Sequence, residues 1–371
     1  MILQVLWIQG FNLRVSGIEV YVLLELKSME LPECAVMIYD AETRHKSPQE
    51  AYSLIKKTVQ WARKNGIAGI YKKTDSALRG NVGIELQALL ENWEDDNLIF
   101  APAYPEMKRF TRKGIQLIDG IPVAESVFGK DLFEPVRHSS VAEIIHETSN
   151  VKTYETDKNA LETLEKRKGI LIADADTYSD LDQIAKWSMK HGVRSYAGCA
   201  GFARALAGNV YKNGKKNEIR SMSPVLLAVC GSIHPATVRQ VTSAGQKGME
   251  RISLKKKMLL DLEKFDKEEL CRCAKHWAAI CSEKKALILD VEQEENAAGA
   301  DMGEISRGEK IADGLAMVTK QILDSGIYPT LFCTGGDTLR AVVKSLGLTA
   351  MRPMAELFPG VVLNQAMVPV V

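Results

Sequence analysis

Residues 72–81 read Lys72-Lys73-Thr74-Asp75-Ser76-Ala77-Leu78-Arg79-Gly80-Asn81. Before them an apolar run, Ala68–Tyr71, predicts a short strand. After them Val82 opens a segment with Glu85, Leu86, Leu89 and Leu90 at helical spacing. Strand, polar loop and helix in that order form the repeating unit of a parallel α/β sheet, and sites in such sheets lie at the carboxyl ends of the strands. The loop holds two lysines, an arginine, two hydroxyls, an aspartate and an asparagine. Lysine and arginine pair a carboxylate or phosphate, Ser76, Thr74 and Asn81 suit sugar hydroxyls, and Asp75 can accept a proton. A solvated polar loop with a helix cap is the plainer alternative.

The same alternation extends outward in both directions and predicts an α/β protein of two lobes, each a mostly parallel sheet flanked by helices. In the first lobe the strands expected are Val20–Leu24, Ala35–Tyr39, Ala68–Tyr71, Leu98–Ala101 and Gly169–Ala173. A helix follows the second: Ser47 can cap it, Pro48 suits its first position, and Glu50 completes a capping box. Its stripe is Ala51, Leu54, Ile55, Val59 and Ala62, and Gly66 ends it. The polar stretch Lys212–Ser223 is the expected linker, giving domains at 1–215 and 224–371. Beyond it, strands are expected at Val225–Cys230, Glu250–Leu254, Ala286–Leu289 and Thr330–Cys333. Helices are expected at Pro235–Gln246, Lys264–Ile280 and Lys310–Asp324.

Two turns in the second lobe repeat the first motif's logic. Cys333-Thr334-Gly335-Gly336-Asp337-Thr338 joins a strand to a helix with Leu339, Val342, Val343 and Leu346 on one side. Free N–H groups and the helix dipole favour an anion there, and glycine lets it approach the backbone. Cys230-Gly231-Ser232-Ile233-His234-Pro235 does the same, so that Ser232 and His234 can face the other end of a nucleotide. A tight turn capped by Asp337, and a solvated His234, are the plainer alternatives. In the first lobe Arg44 and Arg109 also follow strand ends. The phosphate loop, dinucleotide fingerprint, zinc-protease and nucleophile-elbow signatures are all missing from the sequence.

The bulk numbers agree with a folded protein of two domains. The chain has 371 residues, a formal net charge of +1 and 26% charged residues, so nothing in its balance calls for nucleic acid or a membrane surface. Its seven cysteines are scattered, an odd count that predicts buried thiols in a reducing compartment. Cys271-x-Cys273-x-x-His276 has a zinc-like look, but the helical spacing around it predicts an ordinary helix. The opening, Met1–Gly17, is apolar but short and is broken by Arg14. A cytoplasmic protein is expected, without a membrane span.

In order along the chain, KKTDSALRGN, APAYPEMKR with GIQLIDGIPVAES, ADADTYSDL, YAGCAGFARALA, CGSIHP and TGGDTLRAV closely resemble the motifs of the four-carbon acid sugar kinases. The resemblance implies phosphorylation of an erythronate-, threonate- or 3-oxo-tetronate-type acid by ATP with Mg²⁺, in a cleft between the lobes. It places Arg44, Lys73, Asp75, Ser76, Arg79, Asn81 and Arg109 around the acid, with Asp75 as the proton acceptor. It places Ser232, His234, Gly335, Gly336, Asp337 and Thr338 around ATP. A homodimer is left open.

Two segments depart from the family pattern. Where members open with an Asp-Asp-x-Thr-Gly-Ala loop, the sequence here has no aspartate before Asp40, and it reaches Val371 without a Lys-Ser-Gly-x-Phe-Gly segment. Many members also have serine in place of His234. Both ends therefore read as replaced or truncated. The expectation set beside the kinase is a degenerate member that binds nucleotide or sugar acid without turnover.

Overall fold

The computed structural model describes residues 19–26, 36–131, 135–156, 168–210, 222–232, 234–260, 267–292, 303–358 and 361–367. It is a mixed α/β structure with parallel sheets flanked by helices. The chain divides into two compact units. One contains the described residues of Leu26–Lys216; the other joins those of Asn217–Val371 with Tyr21–Glu25. Strand β1 (Val20–Leu23) thus belongs largely to the C-terminal unit. The predicted linker falls almost wholly outside the described residues, as does the apolar opening.

The N-terminal unit runs through β2 (Val36–Tyr39), α1 (Pro48–Lys64), β3 (Ile70–Lys73), α2 (Val82–Asn92) and β4 (Asn97–Ala101). Then come β5 (Arg109–Arg112), β6 (Ile115–Ile118), β7 (Ile121–Pro122), α3 (Val141–His146) and β8 (Thr153–Thr156). It ends with β9 (Gly169–Ala173), α4 (Tyr178–Lys190), β10 (Ser195–Gly198) and α5 (Ala200–Val210). Five strands pair in parallel in the order β3-β10-β4-β9-β8. Side chains alternate across a strand, and the two faces fill accordingly. Leu98, Phe100, Ile170 and Ile172 meet Leu86 and Leu89 of α2 on one side. Ile99, Ala101, Leu171 and Ala173 meet Leu181, Ile184 and Phe202 of α4 and α5 on the other. Each of the larger of these side chains contributes roughly 1.5–3 kcal/mol by leaving water.

Helix α1 starts as its residues dictate: the Ser47 hydroxyl accepts from the Glu50 N–H at 3.4 Å, and the Ser47 N–H donates to the Glu50 carboxylate at 3.0 Å. Strand β3 lies two residues later than the apolar run predicts. Its parallel partner β10 explains the shift: Lys72 and Lys73 pair with Ala197 and Gly198, and the Thr74 N–H donates to the Gly198 carbonyl at 2.7 Å. Ladder bonds to β10 override the polar side chains, so the two lysines are strand residues pointing to opposite faces. Strands β5, β6 and β7 form a small antiparallel sheet that the predicted pattern lacks.

The C-terminal unit contains β11 (Leu226–Cys230), α6 (Pro235–Gln246), β12 (Glu250–Leu254), α7 (Lys256–Leu260), α8 (Lys267–Lys284) and β13 (Ala286–Val291). It continues with α9 (Gly303–Asp324), β14 (Thr330–Thr334), α10 (Gly336–Ser345), β15 (Ala350–Phe358) and β16 (Val361–Met367). Its parallel sheet has the order β12-β13-β11-β14. Leu227, Val229, Leu287 and Leu289 pack against Leu315, Val318 and Val342. In a second, antiparallel layer β15 pairs with both β16 and β1, with Val22 opposite Met351.

Candidate functional site

In the N-terminal unit four of the quoted motifs leave the carboxyl end of a parallel strand, while GIQLIDGIPVAES spans the antiparallel β6 and β7. Thr74–Asn81 follows β3, Pro102–Lys108 follows β4, Asp174–Thr177 follows β9 and Cys199 follows β10. The parallel pairing brings these ends to one edge of the sheet.

The loop after β3 is held from several sides. Leu78 adopts φ +61° and its N–H donates to the Asp75 carbonyl at 3.0 Å, which turns the chain sharply. Gly80, at φ +89°, packs beneath Arg44: a Cβ there would lie 3.1 Å from Arg44 Cγ. The Asn81 amide donates to the carbonyls of Thr43 and Lys46 at 2.9 and 2.8 Å. Asn81 thereby ties this loop to the one carrying Arg44. From β6, Gln116 donates to the Ser76 carbonyl at 3.0 Å while its own oxygen accepts from the Thr111 hydroxyl at 2.8 Å. The Lys113-Gly114 turn of that hairpin is anchored by Asp174, whose two carboxylate oxygens accept the two backbone N–H groups.

Within the loop the charges are ordered. The Asp75 carboxylate accepts from Arg79 Nε at 2.9 Å and from Nη2 at 3.4 Å, and Arg79 Nη1 reaches Asp131 at 3.2 Å. Burial raises the Asp75 pKa, but the Arg79 bonds and the Arg44 charge outweigh it and hold the carboxyl below its ordinary range. The Arg79 guanidinium lies 4.8 Å from the Phe128 ring centroid, and that of Arg109 lies 5.4 Å from the same centroid. Neither Phe128 nor Asp131 stands out in the sequence, because both lie in irregular chain where no periodicity marks them.

Among the described residues of this unit four polar atoms are buried without a hydrogen-bond partner: Asp40 Oδ2, Thr74 Oγ1 and Arg109 Nε around the strand ends, and Trp187 Nε1 on α4. Beside Thr74, Lys73 is largely buried, and its pKa is lowered chiefly by desolvation despite the attraction of Asp75 and Asp40. Among the described residues no carboxylate lies within ion-pair distance of Lys73. Its neighbour differs: Lys72 binds the buried Glu85 of α2 at 2.8 Å. One lysine of the pair is therefore used by the core and the other is available. Unsatisfied donors and a desolvated cation together favour an anionic, hydroxylated ligand.

In the C-terminal unit the two glycine turns leave neighbouring strands whose last residues, Cys230 and Thr334, pair directly. A Cβ on Gly231 would lie 2.0 Å from Thr338 Oγ1, and one on Gly335, at φ +97°, would lie 3.4 Å from the Ser232 nitrogen. The turns are thus packed on each other, while α6 packs on one face of the sheet through Val241 and α10 on the other through Val342. The His234 ring caps α6, with Nδ1 accepting from the Ala236 N–H at 3.2 Å. Ser232 accepts from the His234 N–H at 3.3 Å. Thr334 Oγ1 is buried without a partner. Gly335 caps α10 without a side chain, Gly336 and Asp337 form its first turn, and Thr338 is buried behind them. Two helix N-termini with glycine backbone and an unsatisfied hydroxyl suit the phosphates of a nucleotide. Cys271 and Cys273 lie two residues apart on α8, roughly 200° around the helix, so they do not share a face. Among the described residues no group of three metal-ligating side chains occurs, and no helix is long and apolar enough to cross a membrane.

A two-unit α/β protein with a basic, hydroxyl-rich loop in one unit and twin glycine turns in the other is the class that the geometry defines. The comparisons make it specific. A sugar-binding N-terminal domain model matches residues 9–206, and a nucleotide-binding C-terminal domain model matches residues 227–371. The D-threonate kinase of Salmonella typhimurium is 27% identical over 94% of this chain and 86% of its own length. The D-erythronate kinase of Heliobacterium modesticaldum is 27% identical over 87% and 78%. The fold matches a Haemophilus influenzae protein of known crystal structure with a TM-score of 0.78, at 16% identity over 98% of this chain and 91% of that one. The chain belongs to the four-carbon acid sugar kinase family.

Proposed function

We propose that this chain transfers the terminal phosphoryl group of ATP to a hydroxyl of a four-carbon sugar acid of the threonate, erythronate or 3-oxo-tetronate type. The observation that carries the proposal is Lys73, desolvated and without an ion-pair partner among the described residues, beside the unsatisfied Thr74 hydroxyl. The acid's carboxylate and hydroxyls would meet Lys73, Ser76, Arg79 and Arg109, with Arg44 and Asn81 shaping the loop. The nucleotide would take the Gly231–His234 and Gly335–Thr338 turns, with Mg²⁺ arriving on its phosphates. Phosphoryl transfer relies on positioning and charge neutralisation, which is what these residues offer.

A second reading, binding without turnover, is favoured by one observation. Both Asp75 oxygens are engaged by Arg79 and the carboxyl is held below its usual pKa, which makes it a weak proton acceptor. A coupled ADP-release assay of the purified chain with D-threonate, D-erythronate and 3-oxo-tetronate tests the kinase. Turnover with at least one acid is expected. Affinity for ATP and an acid with no ADP release would replace the kinase by the binding protein, and no affinity for any of the three acids would overturn both.

A further inference from the structure

We propose that Phe128 is a positioning residue: its ring is the shared platform that holds Arg79 and Arg109 ready for the carboxylate of the acid. This rests on the sugar-acid reading above and deepens it.

The two arginines come from distant places. Arg79 sits in the loop after β3, and Arg109 opens β5. Both guanidinium groups nevertheless meet the ring of Phe128, at 4.8 and 5.4 Å from its centroid. A ring attracts a cation to its negative face, so one aromatic side chain fixes two long, rotamer-rich side chains. The carboxylate neighbours divide unevenly. Arg79 is already bound to Asp75 and Asp131. Among the described residues Arg109 has only Asp119, at 3.6 Å, and its Nε is buried with no partner. The Arg109 fork is thus oriented by the ring while a donor stays unused, as a bidentate anion site requires.

The ring is itself fixed by its backbone. The Phe128 N–H donates to Ser126 Oγ at 3.2 Å, the Ser126 hydroxyl donates to the Val123 carbonyl at 2.7 Å, and the Phe128 carbonyl accepts from Val136 at 3.0 Å. Gly129 permits the turn: a Cβ there would lie 1.8 Å from the Ala124 carbonyl oxygen. The segment Ile121–Gly129, which carries none of the charged ligand candidates, acquires a purpose as the support of this ring.

The test is calorimetric titration of the full chain with D-threonate and D-erythronate, and separately with a non-hydrolysable ATP analogue, for wild type, Phe128→Leu, Phe128→Met and Phe128→Tyr. Leucine and methionine keep an apolar side chain of related volume but remove the π face; tyrosine keeps it. The expected result is acid affinity weakened about tenfold in the leucine and methionine variants, the loss of two cation–π contacts. It should stay within about twofold in the tyrosine variant, with nucleotide affinity unchanged in all. Wild-type acid affinity in a folded leucine or methionine variant would overturn the platform and leave the kinase reading standing. A tyrosine variant as weak as leucine, or equal loss of acid and nucleotide, would reduce Phe128 to ordinary packing. A wild-type chain that binds neither acid overturns the sugar-acid reading, and the platform with it. Methionine serves where leucine fails to fold, circular dichroism deciding which variants count.

Discussion

Thr338 occupies the space in front of Gly231: its Oγ1 stands 2.0 Å from where a Gly231 Cβ would be, and its own Cβ 3.1 Å. The two glycine turns of the C-terminal unit therefore interlock through one absent side chain. Gly231→Ala is expected to overpack this contact, destabilise the C-terminal unit by about 1–3 kcal/mol and weaken nucleotide binding. Adding Thr338→Ala removes the hydroxyl but not the Cβ, so the double variant should recover part of the loss. Thermal unfolding and nucleotide titration of the two single variants and the double one measure this. Additive losses in the double variant would mean that the contact is not what glycine serves.

The cysteines offer a check on burial. Cys199 donates to the Pro102 and Ala103 carbonyls at 3.2 and 3.0 Å, and burial pushes its thiol up to about 12. Burial does the same to Cys333, at about 12, and to Cys230, at about 11. Only the thiolate reacts. Native iodoacetamide labelling at about pH 8, near the ordinary thiol pKa, should therefore spare the buried Cys199 and Cys230, and modify the partly exposed Cys271 and Cys273 ahead of Cys333, which is likewise partly exposed but has a raised pKa. Peptide mapping by mass spectrometry reads the pattern, and early labelling of Cys199 would contradict the packing between β10 and the loop after β4.

Much of this architecture was legible because local and global signals agree. Ser47, Pro48 and Glu50 place the start of α1, and the apolar stripe through Ala51, Ile55, Val59 and Ala62 is the buried face. Gly335 and Pro235 likewise mark where α10 and α6 begin. Strand β10 was hidden, because Ser195-Tyr196-Ala197-Gly198 carries too little hydrophobicity to announce a central strand; its two parallel partners make it one. The same pairing moved Lys72 and Lys73 into β3. Phe128, Asp131, Gln116 and Asp174 join the loop's surroundings through contacts across tens of residues, and no local pattern encodes those.

Asp75 makes acid stability a reporter of the loop. Its folded-state pKa is depressed by Arg79 and Arg44 against the effect of burial. A depressed carboxyl stabilises the fold at pH above its unfolded value, near 3.9, and loses that contribution as pH falls through the folded value. Wild type should exceed Asp75→Asn by about 1.5–3 kcal/mol near neutrality, the usual worth of a charged hydrogen bond. The gap should close below about pH 3.9. Melting curves from neutral pH downward follow it; a gap that stays constant to low pH would show that the aspartate charge is not what Arg79 holds.

Lys73 has the opposite sign, and it separates stability from function. Desolvation lowers its pKa in the folded chain more than Asp75 and Asp40 restore it. The folded state thus holds the charged amine at a cost, which disappears once pH exceeds the unfolded lysine value of about 10.4. Lys73→Met keeps an unbranched side chain, one atom shorter, and removes the charge. It should stabilise the free protein by about 1 kcal/mol near neutral pH, as replacing a poorly paired buried charge often does. The gain should shrink as pH rises toward about 10.4. The same variant should lose at least about tenfold in sugar-acid affinity, because a charge-assisted contact is worth about 1.5–3 kcal/mol, with nucleotide affinity untouched. Melting temperature and calorimetry on one preparation settle both halves. A less stable variant with undiminished acid affinity would make Lys73 a structural residue and move the anion site elsewhere, whereas higher stability with lost affinity is the signature of a residue held at the expense of the fold for the sake of its ligand.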